Sequence, residues 1–263
     1  MTPVRPSTVS PRTFESDDGR LALQLATQAG ALLLDVRVRL AGADPQQRKD
    51  AGDRESHEFL VAALAAARPA DAVLSEEGKD DARRLDADRV WIVDPVDGTR
   101  EFSELDRDDW AVHVALWERG RLTAGAVALP AQGTTLGTSD VPALPPVRAG
   151  RPRLLVSRTR PPSWTGSLAE ALGADLLPMG SAGAKAMAVL QGKAEVYVHA
   201  GGQYEWDSAA PVAVATAAGL HTSRTDGSTL VYNRADPLLP DLVVCRPELA
   251  GRVLDVLASM QLD

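Results

Sequence analysis

Leu21, Leu25, Leu32, Leu33 and Val36 recur near helical spacing, and Ser16, Asp17 and Asp18 precede them where a cap and first-turn acids belong. This pattern predicts a first helix, weakened but not ended by Gly30. After Pro45 a short polar link is expected, then a second helix over about 53–67, capped by Asp53, with Phe59, Leu60 and Leu64 as its buried stripe. Strand-like runs follow at 72–74 and 90–93. Two more, 111–117 and 122–129, flank Glu118-Arg119-Gly120 as a hairpin. The stretch 130–152 is rich in Gly, Pro, Thr and Ala and lacks periodicity, so its latter half marks a boundary between subdomains 12–150 and 151–263. Beyond it the pattern predicts a strand at 154–156, helices at 163–172 and 181–190, a strand at 196–199 and a helix at 207–218. A strand-like Leu242-Val243-Val244-Cys245 and a helix from Pro247 to about Ser259 end the chain. Residues 1–11, with three prolines, read as a lead-in. Helices and strands intermixed, with a hairpin in the first half, predict an α+β or α/β layered fold.

Composition narrows the function. With 263 residues, 44% hydrophobic and 24% charged, the chain can bury a sizeable core in one large domain or two modest ones. Its formal charge of −8 offers no footprint for a phosphate backbone, which argues against a nucleic-acid polymer as partner. The single Cys245 excludes an intramolecular disulfide and a paired-cysteine metal site, and its strand-like setting reads as a small buried hydrophobe. No run of eighteen apolar residues is present and the N-terminus lacks an apolar signal core, so a soluble, cytoplasmic protein with no membrane contact is expected. His57, His113, His199 and His221 show no metal-ligand spacing and read as packed or exposed residues rather than bases. The oligomeric state is not set by the sequence, and a homodimer is compatible with it.

Candidate chemistry lies in three acidic segments. The run Trp91-Ile92-Val93-Asp94-Pro95-Val96-Asp97-Gly98-Thr99 carries a buried strand into two aspartates, with Pro95 and Gly98 expected to force a tight turn. Both carboxylates could converge there on a hard cation such as Mg²⁺, or they could simply bond their own turn. Ser75-Glu76-Glu77 again places acids at a strand end. In Trp206-Asp207-Ser208-Ala209-Ala210, Asp207 sits where a helix cap belongs. Gly180-Ser181-Ala182-Gly183-Ala184-Lys185 does not fit a nucleotide-triphosphate loop, because Ala184 precedes the lysine and Ala186 follows it.

In this order and spacing the three segments resemble the inositol monophosphatase superfamily of Mg²⁺-dependent, lithium-sensitive phosphatases, over roughly residues 16–245. The resemblance implies an αβαβα sandwich of the inositol monophosphatase and fructose-1,6-bisphosphatase type, two to three Mg²⁺ ions and a small phosphorylated substrate. Arg100-Glu101-Phe102, the segment Gly180 to Lys185 and Ser157-Arg158 are similar to the CysQ branch, the 3′(2′),5′-bisphosphate nucleotidases. That branch often shows Ser-Arg-Ser-His where this chain has Ser157-Arg158-Thr159-Arg160. The activity so implied is removal of the 3′-phosphate of 3′-phosphoadenosine 5′-phosphate, a by-product of sulfate assimilation. Inositol phosphate or fructose 1,6-bisphosphate hydrolysis is the alternative enzyme, and a silent Mg²⁺- or nucleotide-binding module the alternative class.

By the same resemblance, Glu76, Asp94 and the Val96 carbonyl would hold one ion. Asp94, Asp97 and Asp207 would hold a second, with Glu76 helping a third through water. Thr99 and Asp53 would activate the attacking water, with Asp50 competing for the role of Asp53. Gly98, Thr99, Ser157, Ser181, Gly183, Lys185 and Asp207 would contact substrate.

Overall fold

Asp17 caps the first helix of the computed structural model, which describes residues 17–260. Its carboxylate accepts from the Gly19 amide at 2.8 Å, and α1 (Asp18–Arg39) turns Leu21, Leu25, Leu33 and Val36 inward. The lead-in at 1–11 and the candidate Ser16 lie outside the described residues. Pro45 opens α2 (Pro45–Ala67) instead of preceding a link, which corrects the start expected at Asp53. Proline's fixed φ and missing N–H suit the first helical turn, and Asp44 caps it by accepting from the Gln46 amide at 2.7 Å. Asp53 therefore lies inside the helix and caps nothing.

The first sheet has β1 (Ala72–Ser75), β2 (Arg89–Asp97), β3 (Ala111–Glu118), β4 (Arg121–Leu129) and β5 (Thr134–Gly137) in that spatial order. β1 runs parallel to β2 and the other pairs are antiparallel. The β3–β4 hairpin turns on Arg119 and Gly120, both at positive φ (46° and 92°), the geometry a tight hairpin demands. The second sheet has the order β7-β6-β8-β10-β9. Its strands are β6 (Arg153–Ser157), β7 (Asp175–Met179), β8 (Val196–Tyr204), β9 (His221–Ser223) and β10 (Leu238–Cys245). Helices α3 (Thr99–Ser103), α4 (Thr165–Leu172), α5 (Ala182–Leu190), α6 (Glu205–Ala217) and α7 (Ala250–Ala258) complete the fold, the last preceded by a 3₁₀ turn at Pro247–Leu249.

Alternation along β2 shows how the layers form. Trp91 and Val93 point to one face, where α1 and α2 supply Leu25, Leu33, Leu60 and Leu64. Val90 and Ile92 point to the other, into a central core shared with α5, α6 and the near face of the second sheet through Leu155, Tyr197 and Val244. The far face of that sheet, Val196 and Val243 among it, packs on α4 and α7 through Leu168 and Val253. The result is the αβαβα sandwich expected. α1 is long and apolar enough, by length and composition, to cross a membrane. In the fold its inward residues share a core with Val112, Val114 and Ala126 of the first sheet.

Three strands were not anticipated, one of them β9, three residues at an outer edge of the second sheet. β5 lies within the unpatterned stretch after 130, and its four residues gain order only by pairing with β4. β7 (Asp-Leu-Leu-Pro-Met) contains a proline, which the outer position of this strand tolerates because one side of its backbone faces no partner strand.

Candidate active site

β2 stays extended past Pro95, so the tight turn expected there is corrected. Its pairing with β3 slips between Asp94, opposite His113, and Asp97, opposite Ala111. Such an irregularity accommodates a proline that cannot donate to the ladder and re-aims the side chains on either side of it. The Ser56 hydroxyl of α2 holds the Pro95 carbonyl oxygen at 2.8 Å. The chain turns only at Gly98, whose φ of +82° suits glycine, and α3 begins at Thr99.

This bend buries Asp94 and Asp97 together. Asp207 joins them from the third position of α6, where its Oδ2 accepts from the Tyr204 amide at 2.7 Å; Tyr204 and not Asp207 is the cap residue. Carboxylate oxygens of Asp94, Asp97 and Asp207 lie within 4.8 Å of one another. Glu76 arrives from the end of β1, where its amide donates to the Val93 carbonyl at 3.4 Å, and its carboxyl interacts with that of Asp94. Glu76 and Glu77 are both exposed as whole residues, and Glu77 contributes only charge to the cluster.

These acids crowd one another. Burial pushes the Glu76 carboxyl up to about 7, with the charges of Glu77, Asp97 and Asp53 adding to the shift. Asp207 is pushed up to about 7 by burial and then by Asp97. Asp94 is raised well above the usual carboxylate range by burial and by Glu76, Asp97 and Asp207. Asp94 Oδ1 accepts from the Val96 amide at 3.0 Å, whereas the buried Oδ2 has no hydrogen-bond partner. A buried orphan oxygen among converging hard donors fits a divalent cation such as Mg²⁺.

A pH dependence follows from the raised values. Between about pH 4 and 7 the folded metal-free protein holds protons on Glu76, Asp94 and Asp207 that the unfolded chain has lost, so its stability falls as pH rises through this window. Mg²⁺ requires the ionised carboxylates and must displace those protons. The rise in Tm produced by Mg²⁺ is therefore expected to be larger at pH 8 than at pH 6, with proton release on binding. Scanning calorimetry and titration in two buffers of different ionisation enthalpy check this; a metal effect independent of pH would contradict it.

Asp97 behaves differently. Burial alone would raise it, yet His113, the Ser181 hydroxyl and the Gly183 amide hold it down to about 2. Its Oδ2 accepts from Ser181 Oγ at 2.5 Å and Gly183 N at 2.6 Å, while Oδ1 accepts from Ala182 N at 3.1 Å. Asp97 thus sits on the start of α5, capped by Ser181. His113, fully buried on β3, places Nε2 3.1 Å from Asp97 Oδ2 and donates from Nδ1 to the Trp206 carbonyl at 3.0 Å. Burial would lower its pKa, but Asp97 and the Trp206 carbonyl outweigh burial and raise it, favouring the imidazolium that two facing acceptors require.

His113 has no ligand spacing in the sequence and so reads there as a packed or exposed residue. Its one signal is register: it lies opposite Asp94, which only the β2–β3 pairing reveals.

The remaining candidates are distributed as follows. Lys185 is buried, neither solvated nor open: its ammonium donates to the carbonyls of Gly180 (3.3 Å) and Ser181 (2.7 Å). Ser157 ends β6, its Oγ accepting from the Arg160 amide at 3.2 Å. Arg158 is engaged by Glu101 at 2.7 Å and Glu104 at 3.1 Å. The Thr99 hydroxyl donates to the Val96 carbonyl at 3.1 Å rather than to Asp53. Asp53 is pushed up to about 7 by burial and then by Glu77 and Asp50, and its charge reaches Glu76. Asp50 is exposed and accepts from Gln46 at 2.8 Å, so Asp53 is the aspartate of this helix that faces the acids.

Comparison with known proteins agrees with this geometry. A 3′-phosphoadenosine 5′-phosphate phosphatase of Mycobacterium leprae is 51% identical over 258 residues, covering 94% of this chain and 95% of the relative. The 3′(2′),5′-bisphosphate nucleotidase CysQ of Salmonella typhimurium is 31% identical over 232 residues, 82% and 94% of the two chains. The crystal structure of CysQ from Bacteroides thetaiotaomicron superposes with a TM-score of 0.72 at 27% identity, covering 87% of this chain and 97% of that one. Inositol monophosphatase II of Staphylococcus aureus shares the fold at a TM-score of 0.74 and 19% identity, over 88% and 92% of the two chains. The sequence profile of the inositol monophosphatase family matches residues 19–142 and 154–260, which take in every acid of the cluster, and the chain belongs to that family.

Proposed function

We propose that this chain is a Mg²⁺-dependent phosphatase that hydrolyses the 3′-phosphate of 3′-phosphoadenosine 5′-phosphate, giving AMP and phosphate, in a cytoplasmic setting linked to sulfate assimilation. The observation that carries the reading is the convergence of buried Asp94 and Asp97 with half-buried Asp207 in a chain 51% identical, almost end to end, to a phosphatase of that name. A silent binding module would have no use for a cluster whose acids raise one another's pKa.

Asp94, Asp97 and Asp207 would hold one ion; Glu76, Asp94 and the Val96 carbonyl would hold another, with Glu76 reaching a third through water. Bound there, Mg²⁺ supplies charge neutralisation at the attacking and leaving oxygens of the phosphoryl group. The amides of Gly98 and Thr99, at the start of α3, donate to phosphate oxygens, and the absence of a Cβ at Gly98 leaves room for Ser181, whose own Cβ such an atom would approach to 3.0 Å. The Thr99 hydroxyl orients the attacking water and Asp53, titrating near 7, accepts its proton at neutral pH. Ser181 and Gly183 act from behind by donating to Asp97, and Lys185 fixes the Gly180–Ser181 segment that leads into them.

Phosphate release from 3′-phosphoadenosine 5′-phosphate, inositol 1-phosphate and fructose 1,6-bisphosphate, with and without Mg²⁺, tests the reading. The nucleotide is expected to be preferred, hydrolysis to need Mg²⁺ and to be inhibited by Li⁺, and Asp97→Ala to be inactive. Metal-independent turnover, or a preference for inositol phosphate, would sink it.

A further inference from the structure

Beside the acid cluster, outside the machinery above, lies an exposed apolar surface built from two strands and a helix. Tyr204 ends β8 and is 42% exposed, and its ring lies nearly parallel to that of Trp206, with centroids 4.8 Å apart and planes 7° from parallel. Leu238, 38% exposed, is the direct register partner of Tyr204 on β10. Directly opposed residues of antiparallel strands project to the same face, so the leucine extends the same surface. Trp206 packs in part on the central core, whereas Tyr204 and Leu238 belong to none of the core clusters.

Two backbone contacts hold the segment that carries these rings beside the site. The Tyr204 amide donates to Asp207 at 2.7 Å, and the Trp206 carbonyl accepts from His113 at 3.0 Å. A phosphate on the acids places whatever its sugar carries one ring further out. Every nucleobase has a flat π-face that stacks on an aromatic side chain.

We propose that Tyr204, backed by Trp206 and flanked by Leu238, is the shelf on which the base of the nucleotide substrate stacks, making Tyr204 a specificity-determining residue. This rests on the phosphatase reading above for the position of the phosphate. A planar, uncharged heterocycle joined to a phosphorylated sugar is the ligand class it accepts, and a base-free sugar phosphate gains nothing from it.

The experiment compares 3′-phosphoadenosine 5′-phosphate with ribose 3,5-bisphosphate, which carries the same phosphates without the base. In the Mg²⁺-loaded wild type the nucleotide is expected to have the lower KM. Tyr204→Ala should raise the nucleotide KM about tenfold, the loss of one stacking contact, and bring it toward that of the base-free compound. Tyr204→Phe, which keeps the ring, should restore the wild-type ratio. An unchanged ratio of the two KM values in Tyr204→Ala, or an equal rise in both, would overturn the shelf, the second because it marks a structural role only.

Calorimetric binding of AMP against ribose 5-phosphate separates this idea from the phosphatase reading. If the wild type hydrolyses neither bisphosphate, yet binds AMP more tightly and Tyr204→Ala abolishes the difference, the reaction assignment fails and the shelf stands. Equal binding of the two by the wild type overturns the shelf.

Discussion

Asp94→Asn is expected to lower the turnover number for phosphate release by about 10³-fold or more and to erase the Mg²⁺-induced rise in Tm, while leaving the metal-free protein at least as stable as the wild type above pH 7. The substitution keeps size and keeps an oxygen for the Val96 amide, which Oδ1 now accepts at 3.0 Å. It replaces the orphaned Oδ2 with an N–H donor facing the raised carboxyls of Glu76 and Asp207. Like charges in a fully buried setting destabilise the ionised fold, and removing the most enclosed of them relieves that strain. Function and stability thus pull in opposite directions at one atom, as a site built for a cation requires. Retained activity, or a Tm that still rises with Mg²⁺, would show that Asp94 is not the shared ligand. A large loss of metal-free stability would show that its charge is compensated by something other than a cation.

Legibility of this chain in its sequence followed the range of each interaction. The first helix, the β3–β4 hairpin and the core of β2 were readable because their signals are local: a period near 3.6, a Gly-containing turn between alternating runs, a block of Val and Ile. The start of α2 was misplaced because Pro45 reads equally as a break or as a first-turn residue, and Asp44 before it decides in favour of the helix. β5 (Thr-Thr-Leu-Gly) and β9 (His-Thr-Ser) escaped because so few residues, mostly polar, carry no strand pattern, and β7 because it holds a proline that would disqualify a central strand.

At the site the acids were legible through their order and flanking residues, while their environments were not. Asp94 and Asp97 are three apart on one strand, yet one is pushed far up and the other held at about 2. The difference comes from α5 and from His113, both distant in sequence. Gly180 to Lys185 looked like a substrate loop; folded, it is the cradle of Asp97.

That cradle predicts the second large effect. Gly183→Ala is expected to lower Tm by about 6–12 °C, from an overpacking cost of ~3 kcal/mol at roughly 2–4 °C per kcal/mol for a chain of this size, and to lower activity by about 10²-fold. Helix propensity alone points the other way, since alanine in place of a glycine inside a helix gains at most ~1 kcal/mol, and no unusual φ opposes the change at this first-turn position. Sterics decide the sign. A Cβ at 183 would lie 2.0 Å from His113 Nε2 and within 3.0 Å of two further ring atoms. The imidazole has nowhere to go: it is fully buried, tied to the Trp206 carbonyl on one side and facing Asp97 on the other. Gly180 is crowded as well, because a Cβ there would lie 2.4 Å from Cγ and Cδ of Glu101, a buried side chain held by Arg158. Backbone movement of α5 is the remaining escape at 183, and it carries the Ala182 and Gly183 amides and the Ser181 hydroxyl away from Asp97. Thermal melts of the metal-free protein and kcat at saturating Mg²⁺ separate the two consequences. A lowered Tm with undiminished kcat would mean that Asp97 keeps its place without the α5 amides, and the link between that helix and the metal ligand would fall.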